Sequence, residues 1–227
     1  MPKVGVVIAA GGKGTRLGGR VPKQFLRLKG TSIIRRTLEA FEPLPFVREI
    51  VVVVPAGYVQ KTRMLLIRSG CRKVSGVVEG GRTRQESVRH GLESFRHKPE
   101  IVLVHDAVRP LVTSRVIHEV VRQAQKHRAA VVGVPVKDTV KIERRRGFYA
   151  HTLDRGKLWA VQTPQGFQFE VLVRAHRKAK SEGFVGTDEA SLVERMKVPV
   201  KIVRGDYRNI KITTSEDLQV AGALLRS

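Results

Sequence analysis

The sequence predicts an α/β fold: a mostly parallel sheet with helices on both faces and a projecting β-arm. Short continuous apolar runs, typical of strands buried on both faces, alternate along the chain with stretches of helical apolar spacing. Several of these runs end in paired glycines or in an acidic residue, at the position where open α/β sheets bind ligands. A charged segment at about residues 137–157 interrupts the pattern and predicts a β-hairpin, which we call the arm.

Length and composition favour one cytoplasmic domain. A chain of 227 residues can bury a full core, so we expect a single domain over residues 1–227 with the arm inserted in it. No apolar run reaches the ~20 residues of a membrane span, and the first residues lead directly into a strand. We therefore expect no membrane segment and no signal peptide. The single cysteine, Cys71, excludes an internal disulfide bond and offers no metal-ligand cluster.

The charge is strongly positive. The chain has 43 lysines and arginines against 20 aspartates and glutamates, a net charge of +23, which raises the expectation of a polyanionic partner. Aromatic residues make up only 5% of the chain, and no base-stacking pattern accompanies the charge. We interpret the excess as a surface suited to anionic substrates and expect no specific nucleic-acid partner. A non-catalytic nucleic-acid-binding protein is the alternative from a different functional class.

The first predicted strand, Val4 to Ala10, runs into a glycine-rich loop. The glycines of this loop are Gly11, Gly12 and Gly14. Glycine lets several backbone N–H groups approach one anion, and Arg16 and Lys23 add two positive charges. The order Lys13-Gly14-Thr15 does not fit a Walker-type loop. We therefore favour a different nucleotide-phosphate site over the alternative, a tight turn with solvated basic residues.

The next elements alternate between helix and strand. The spacing predicts helices over residues 31–42 and 58–69, the second ended by Gly70, and strands over Glu49 to Val54 and Lys73 to Val78.

A second pair of glycines, Gly80 and Gly81, follows the third strand. Thr83 and Glu86 have the spacing of a capping box, and we interpret them as capping residues of the next helix. Ser87 then lies in the first turn, and we favour a base-recognition loop made of Gly80, Gly81 and Ser87.

The strand Ile101 to Val104 leads into an acidic residue, Asp106. An aspartate at the carboxyl end of a parallel strand lies where such sheets bind ligands, and it is a usual ligand for Mg²⁺. The alternative for Asp106 is a cap of a helix or of a turn. We interpret His105 as a structural histidine and Arg109 as an anion-binding residue.

The second half of the chain contains the arm. The pattern predicts a helix over residues 114–128, a strand over Ala130 to Val136 and the arm, which is our candidate dimer element. A turn fixed by Pro164 and a helix over residues 169–182 follow.

The last predicted elements surround a lysine. Thr187 is predicted as the N-cap of a short helix, and we interpret Asp188 and Glu189 as residues that favour the positive end of its dipole. Strands are predicted over Pro199 to Val203 and Asn209 to Ile212, and a last helix begins at Ser215. Lys211, between two isoleucines, points either into solvent or into a site.

Taken together, the chain resembles the 2-C-methyl-D-erythritol 4-phosphate cytidylyltransferase family of the non-mevalonate isoprenoid pathway. The matching stretches follow one another in order over almost the whole chain. They are Ala10 to Arg16, Pro22-Lys23-Gln24, Gly80-Gly81 with Arg84 and Ser87, Val104 to Pro110, Pro135 to Thr139, Leu158 to Ala160, Gln162 to Gln165, Thr187 to Ser191 and Asn209 to Lys211.

The resemblance implies a Rossmann-like nucleotidyltransferase fold, CTP and methylerythritol phosphate as substrates, Mg²⁺, and a homodimer joined through the arm. The residues matching those around CTP in the family are Ala10, Gly11, Gly12, Gly81 and Ser87. Arg16 and Lys23 match the residues that stabilise the transferring phosphate, and Asp106 matches the acidic residue near Mg²⁺ and substrate. The residues matching the sugar-phosphate side are Arg109, Thr163, Thr187 and Lys211. Thr139 and Arg155 match arm residues that reach the partner subunit's site.

The first loop has one more residue before Arg16 than the common form of this enzyme. It is closer to the loop of sugar-phosphate nucleotidyltransferases and of ribitol-5-phosphate cytidylyltransferase, which is the alternative within the same class of enzyme.

Overall fold

The computed structural model describes residues 1–12 and 21–225 of the chain. In these residues the strands are β1 (Val4–Ala9), β2 (Arg27–Leu28), β3 (Thr31–Ser32), β4 (Val47–Val54), β5 (Val74–Glu79), β6 (Ile101–Asp106), β7 (Ala129–Pro135), β8 (Lys141–Arg145), β9 (Phe148–Thr152), β10 (Trp159–Gln168) and β11 (Lys201–Arg204). The helices are α1 (Ile33–Glu39), α2 (Val59–Arg68), α3 (Arg84–Glu93), α4 (Ser114–His127), α5 (Phe169–Ser181), α6 (Glu189–Glu194) and α7 (Ser215–Leu224). No helix in the described ranges is long and apolar enough to span a membrane.

Seven strands form the central sheet, in the order β11-β7-β10-β6-β1-β4-β5. The pairs β1–β4, β1–β6, β4–β5 and β7–β11 are parallel, whereas β10 runs antiparallel to both of its neighbours, β6 and β7. The predicted α/β fold with a mostly parallel sheet is therefore confirmed.

Helices cover both faces because the strands carry apolar side chains at consecutive positions. In β1, Val6 and Ile8 pack into the core under α1, α2 and α4, whereas Val7 packs into the second core under α3, α5 and α6. Since side chains of a strand alternate between the two faces, a continuous apolar run supplies both cores. The apolar side of α4, including Val116 and Val120, is buried in the first of these cores.

The carboxyl ends of four strands, β1, β4, β5 and β6, are joined by backbone hydrogen bonds. Ala10 N donates to Val53 O at 2.8 Å, Gly80 N donates to Val54 O at 2.8 Å, and Ala107 N donates to Ala9 O at 3.1 Å. The loops that follow β1, β5 and β6 are therefore held side by side at one edge of the sheet.

The arm forms the predicted hairpin. Strands β8 and β9 pair antiparallel, and every residue of both strands is exposed. Gly147 lies at the tip with a positive φ of 83°, a conformation that glycine adopts without strain.

Strand β10 was not predicted. The sequence pattern indicates only a turn fixed by Pro164 in this stretch, whereas the structure has a ten-residue strand through it. Its pairing with β7 shifts between Val161 and Gln165, so the residues between them bulge out of the ladder. The bulge accommodates the proline, which has no N–H to donate.

Four other local predictions were wrong or incomplete. Residues 209–212 form a loop and not a strand. Asp188, and not Thr187, is the N-cap of α6, since its side chain accepts from Ser191 N at 2.9 Å. The capping box is half formed, because Glu86 accepts from Arg82 N and not from the N-cap residue Thr83. Helix α1 ends before the predicted residue 42.

Candidate functional site

A cleft of about 790 Å³ opens where the loops after β1, β5 and β6 meet. This volume lies in the range of small-molecule sites. The cleft is lined by Ala9, Ala10, Gly11, Gly12, Lys23, Gln24, Pro55, Ala56, Gly80, Gly81, Arg82, Thr83, Arg84, Glu86, Ser87, Asp106, Ala107, Val108, Lys211 and Thr213. The described glycines of both predicted loops, together with Ser87, Asp106 and Lys211, are therefore brought together.

The loop after β5 is packed against Ser87. The Ser87 hydroxyl donates to Thr83 O at 2.8 Å and accepts from Gly81 N at 3.1 Å. A Cβ atom on Gly80 would lie 2.7 Å from Ser87 Oγ, and one on Gly11 would lie 3.0 Å from the same atom. The packing of the Ser87 side chain against both loops therefore requires glycine at Gly80 and leaves little room at Gly11.

The loop after β1 is held by Gln24. Its Nε2 donates to Ala10 O at 2.6 Å and to Gly12 O at 3.3 Å, and the side chain is buried. A Cβ atom on Gly12 would meet nothing within 4 Å, so this glycine borders open space. The described part of the loop thus has a fixed backbone that faces the cleft.

Asp106 is surrounded by three cationic side chains. Its Oδ2 lies 3.0 Å from Lys211 Nζ and 3.4 Å from Arg109 Nε, and its Oδ1 lies 3.5 Å from Arg84 Nη2. Burial alone would raise the pKa of the Asp106 carboxyl, but Arg84, Lys211 and Arg109 hold that pKa well below its usual range. The carboxylate is therefore charged at every physiological pH.

The loop around Lys211 is irregular and not a strand, yet it places the lysine at the cleft. Of the two alternatives left open by the sequence, the side chain takes the one that points into a site. Ile212 N donates to Val108 O at 2.9 Å, which ties the Lys211 loop to the residues after β6.

Arg84 joins the cleft to a buried acid. Its Nη1 donates to Glu189 Oε2 at 2.5 Å, and the Glu189 side chain is only 1% exposed. Burial lowers the pKa of Arg84, but Glu189 and Asp106 outweigh burial and raise that pKa above its ordinary value. From the sequence, Arg84 has no assigned role in the site, and Glu189 is interpreted as a residue that favours the helix dipole.

Arg109 and Thr163 lie beside Asp106 but do not line the cleft. The Thr163 hydroxyl accepts from Asp106 N at 3.0 Å, and Arg109 Nη1 donates to Asn209 O at 2.8 Å. Thr163 is buried, so its hydroxyl serves internal hydrogen bonds in this structure.

Three further predicted site residues lie away from the residues that line the cleft, and two lie outside the described part of the chain. Thr187 is exposed and precedes α6. Thr139 and Arg155 are exposed at the base of the arm, where Arg155 Nη1 donates to Lys137 O at 2.6 Å. Gly14 and Arg16 lie outside the described residues.

One carboxylate in this cleft fits a magnesium ion that is shared with phosphates. Mg²⁺ is usually bound by one or two carboxylates together with substrate phosphate oxygens, and it keeps several waters. Asp106 offers such a carboxylate at the carboxyl end of β6. Among the described residues there is no group of three or more acidic, histidine or cysteine side chains that would form an all-protein metal site.

The comparisons with known proteins agree on one family. Residues 4–227 match the family described as "IspD: 2-C-methyl-D-erythritol 4-phosphate cytidylyltransferase". The chain is 45% identical to the 2-C-methyl-D-erythritol 4-phosphate cytidylyltransferase of Pelotomaculum thermopropionicum, over 100% of this chain and 96% of that protein. It is 48% identical to the protein of the same name from Symbiobacterium thermophilum, over 98% of this chain and 92% of that protein.

A solved structure shares the architecture. The crystal structure of 2-C-methyl-D-erythritol 4-phosphate cytidylyltransferase from Thermus thermophilus covers 100% of both chains with a TM-score of 0.81 and 34% identity. The Rossmann-like nucleotidyltransferase fold expected from the sequence is confirmed. The chain belongs to the 2-C-methyl-D-erythritol 4-phosphate cytidylyltransferase family.

Proposed function

We propose that the protein transfers CMP from CTP to 2-C-methyl-D-erythritol 4-phosphate, giving 4-diphosphocytidyl-2-C-methyl-D-erythritol and pyrophosphate. The observation that carries the proposal is Asp106 with its three cations at the end of a cleft bordered by two glycine loops. Family membership favours this reaction over the ribitol-5-phosphate and nucleic-acid-binding alternatives.

The two glycine loops hold CTP. The nucleotide-binding residues in this proposal are Ala10, Gly11, Gly12, Gly14, Gly81 and Ser87. Five of these residues line the described cleft, and the sixth, Gly14, lies outside the described residues. Backbone N–H groups in such loops suit phosphate oxygens, because no side chain blocks their approach.

The transfer needs neutralisation of charge more than a general base. The attacking group is a phosphate monoester oxygen, which is largely ionised at pH 7 because the second phosphate pKa is about 6. It attacks the α-phosphorus of CTP in line, the bond to the pyrophosphate oxygen breaks, and pyrophosphate leaves. Arg16 and Lys23 stabilise the charge on the transferring phosphate.

The acceptor phosphate lies on the side of Arg109 and Lys211. Both cations contact Asp106, which fixes their positions before the substrate arrives. Asp106 and Lys211 act with Arg16 and Lys23 in catalysis. Thr163 and Thr187 complete the acceptor side in this chain, and Thr139 and Arg155 of the partner subunit approach it through the arm.

We propose a homodimer because the arm exposes apolar side chains. Ile142, Phe148 and Tyr149 are 41%, 60% and 65% exposed, and an isolated two-stranded hairpin is at best marginally stable in water. A variant in which Phe148 and Tyr149 are both changed to serine should elute as a monomer, whereas the unchanged protein should elute as a dimer. A monomeric unchanged protein would contradict the dimer.

The carboxylate of Asp106 would hold a Mg²⁺ ion in this proposal. When bound, the ion would supply positive charge that offsets the charge of the phosphates. The protein groups then set the orientation: Arg84, Arg109 and Lys211 hold the Asp106 carboxylate in one place.

Residues 1–227 make up a single nucleotidyltransferase domain in this proposal, with the arm inserted at about residues 137–157. One sheet contains strands from the first element to the eleventh strand, which supports a single unit. Cytoplasmic localisation stays a prediction from the sequence.

Pyrophosphate release tests the proposed reaction. The assay contains Mg²⁺ and pairs CTP, UTP, ATP or GTP with methylerythritol phosphate or ribitol 5-phosphate. We expect release with CTP and methylerythritol phosphate alone. Release only with ribitol 5-phosphate would show that ribitol 5-phosphate, and not methylerythritol phosphate, is the acceptor. If folded protein releases no pyrophosphate with any pair, the proposed function is overturned.

A further inference from the structure

A histidine next to Asp106 lies wholly inside the protein. His105 is the penultimate residue of β6, and its side chain is 0% exposed. The ring packs edge-on against Phe41, with ring centroids 5.1 Å apart. His105 does not border the cleft, so it can act on the site only through other residues.

The neighbours of the two ring nitrogens determine where the proton of His105 is. Nε2 lies 3.1 Å from the main-chain carbonyl oxygen of Arg109, which can only accept a hydrogen bond. Nε2 must therefore carry the proton in the neutral ring, and Nδ1 must be the acceptor. The Thr163 hydroxyl, 3.0 Å from Nδ1, is the group that donates to it.

The chain of hydrogen bonds continues to the main chain of Asp106. Asp106 N donates to Thr163 Oγ1 at 3.0 Å, so this oxygen accepts from Asp106 and donates its own proton to His105. The chain of hydrogen bonds has three donors, and each has one acceptor. Asp106 N–H donates to Thr163 Oγ1, the Thr163 hydroxyl donates to His105 Nδ1, and His105 Nε2–H donates to the Arg109 carbonyl. The rotation of the Thr163 hydroxyl is thereby fixed by the tautomer of His105.

Asn209 closes the network from the other side. Its Nδ2 donates to Thr163 O at 2.9 Å, and its main-chain oxygen accepts from Arg109 Nη1 at 2.8 Å. Arg109 is therefore held at two points, at its backbone by His105 and at its guanidinium by Asn209 and Asp106. A change in the His105 ring is expected to move both Thr163 and Arg109.

The burial of His105 agrees with this arrangement. The residue is 0% exposed, and a second proton on the ring would place a charge inside the protein, which is costly unless that charge is paired. A neutral ring with its single proton on Nε2 therefore fits the chain of hydrogen bonds.

We propose that His105 is a positioning residue of this enzyme, which as the Nε2–H tautomer links the Thr163 hydroxyl to the Arg109 carbonyl and so orients the acceptor side of the site. The inference rests on the proposed function, in which Arg109 and Thr163 serve the acceptor phosphate. It assigns His105 a task beyond the structural one expected from the sequence.

Nitrogen NMR of protein labelled with ¹⁵N-histidine tests the tautomer without any substrate. The seven histidines are distinguished by comparison with the spectrum of a His105→Gln variant. At pH 7 we expect His105 to show a protonated Nε2 and a hydrogen-bonded, unprotonated Nδ1. In Thr163→Val, the Nδ1 resonance should shift toward that of a free acceptor while Nε2 stays protonated. A protonated Nδ1, or an unchanged Nδ1 resonance in Thr163→Val, would overturn the proposal.

Kinetics separate positioning from stability. His105→Phe removes both hydrogen bonds and should lower kcat/KM for methylerythritol phosphate roughly ten- to a hundredfold, since small misplacements of binding groups have effects of this size. The Kd for CTP should change less than twofold, because the glycine loops are not part of the network. Equal losses for both substrates would contradict a positioning role.

His176 offers a matched control. It is also a buried histidine with a pKa lowered to about 4 by burial, but it lies in α5 and borders neither the cleft nor the network. His176→Phe should leave both constants within about twofold. If the unchanged protein has no activity, the proposed function fails, while the NMR result still decides the tautomer and the hydrogen-bond chain.

Discussion

The ammonium group of Lys211 lies 3.0 Å from Oδ2 of Asp106, and both residues line the cleft that the two glycine loops border. The lysine side chain is 39% exposed and the aspartate side chain 8% exposed, so one partner is anchored in the protein and the other reaches into the cleft. The buried Asp106 carboxylate thus fixes the position of the Lys211 ammonium group, which is available to the acceptor phosphate.

Lys211→Gln is expected to reduce kcat/KM for methylerythritol phosphate by about 10²-fold, because one preorganised charge on the reacting group is lost. Steady-state kinetics with varied acceptor measure the effect. The matched control is Lys201→Gln, at an exposed position of β11, which should change the same constant less than twofold. A Lys211→Gln enzyme with normal kinetics would remove this lysine from the site.

Arg16→Ala and Lys23→Ala are each expected to cost about 10²-fold or more in kcat, by analogy with lost oxyanion donors. The reason is that both cations stabilise charge on the transferring phosphate, whereas binding of CTP itself is shared with backbone donors. Single-turnover rates at saturating CTP measure the loss. Near-normal kcat in either variant would contradict the assigned role.

The buried pair of Arg84 and Glu189 supports a prediction about stability. Arg84→Met leaves the Glu189 carboxylate buried without its partner and should lower the free energy of unfolding by about 3–5 kcal/mol. The double variant Arg84→Met/Glu189→Leu removes both charges of the pair. It should therefore recover most of that loss in the free energy of unfolding. Urea denaturation at pH 7 measures all three proteins, and a double variant as unstable as Arg84→Met would refute the pairing argument.

The Arg84–Glu189 pair also shows where prediction from sequence stops. The two residues are separated by 105 positions, and no local pattern indicates that they meet. An acidic residue near a helix start is well explained by the dipole, so the sequence alone gives no reason to bury Glu189. Only the tertiary fold, which brings the first residues of α3 and α6 together, makes the carboxylate a partner for an arginine of the cleft.

Local patterns predicted the rest of the cleft more completely. Gly80, Gly81 and Ser87 are close in sequence, and Asp106 follows an apolar strand, so strand ends and turn chemistry bring them to one edge. Strand β10 was missed because Pro164 breaks the pattern of a strand, and the compensating bulge depends on pairing with β7. The loop at Lys211 was assigned as a strand because its two isoleucines alternate with polar residues.

His176 makes the protein sensitive to acid. Burial, helped by Arg89 and Arg84, lowers its pKa to about 4 from an ordinary value of 6.5, so the folded state holds the ring neutral. The unfolded state takes up a proton as the pH falls through about 6.5, and the stability contributed by the neutral ring is lost between pH 6.5 and about 4. Between pH 7 and pH 5 this contribution amounts to about 2 kcal/mol.

A comparison with His176→Gln isolates that contribution, because glutamine does not titrate. Between pH 7 and pH 5 the free energy of unfolding should fall in both proteins. The fall in the variant should be smaller by about 2 kcal/mol than the fall in the unchanged protein. Urea denaturation at the two pH values provides the measurement. Parallel losses in both proteins would show that His176 is not the responsible group.

The most direct test of the central claim is a ³¹P NMR spectrum of the reaction with CTP, methylerythritol phosphate and Mg²⁺. We expect the monoester and triphosphate signals to decrease together while the two coupled signals of a diphosphate diester and the signal of pyrophosphate appear in equal amounts. Release of inorganic phosphate without a new diester, or an unchanged spectrum with folded protein, would contradict cytidylyl transfer.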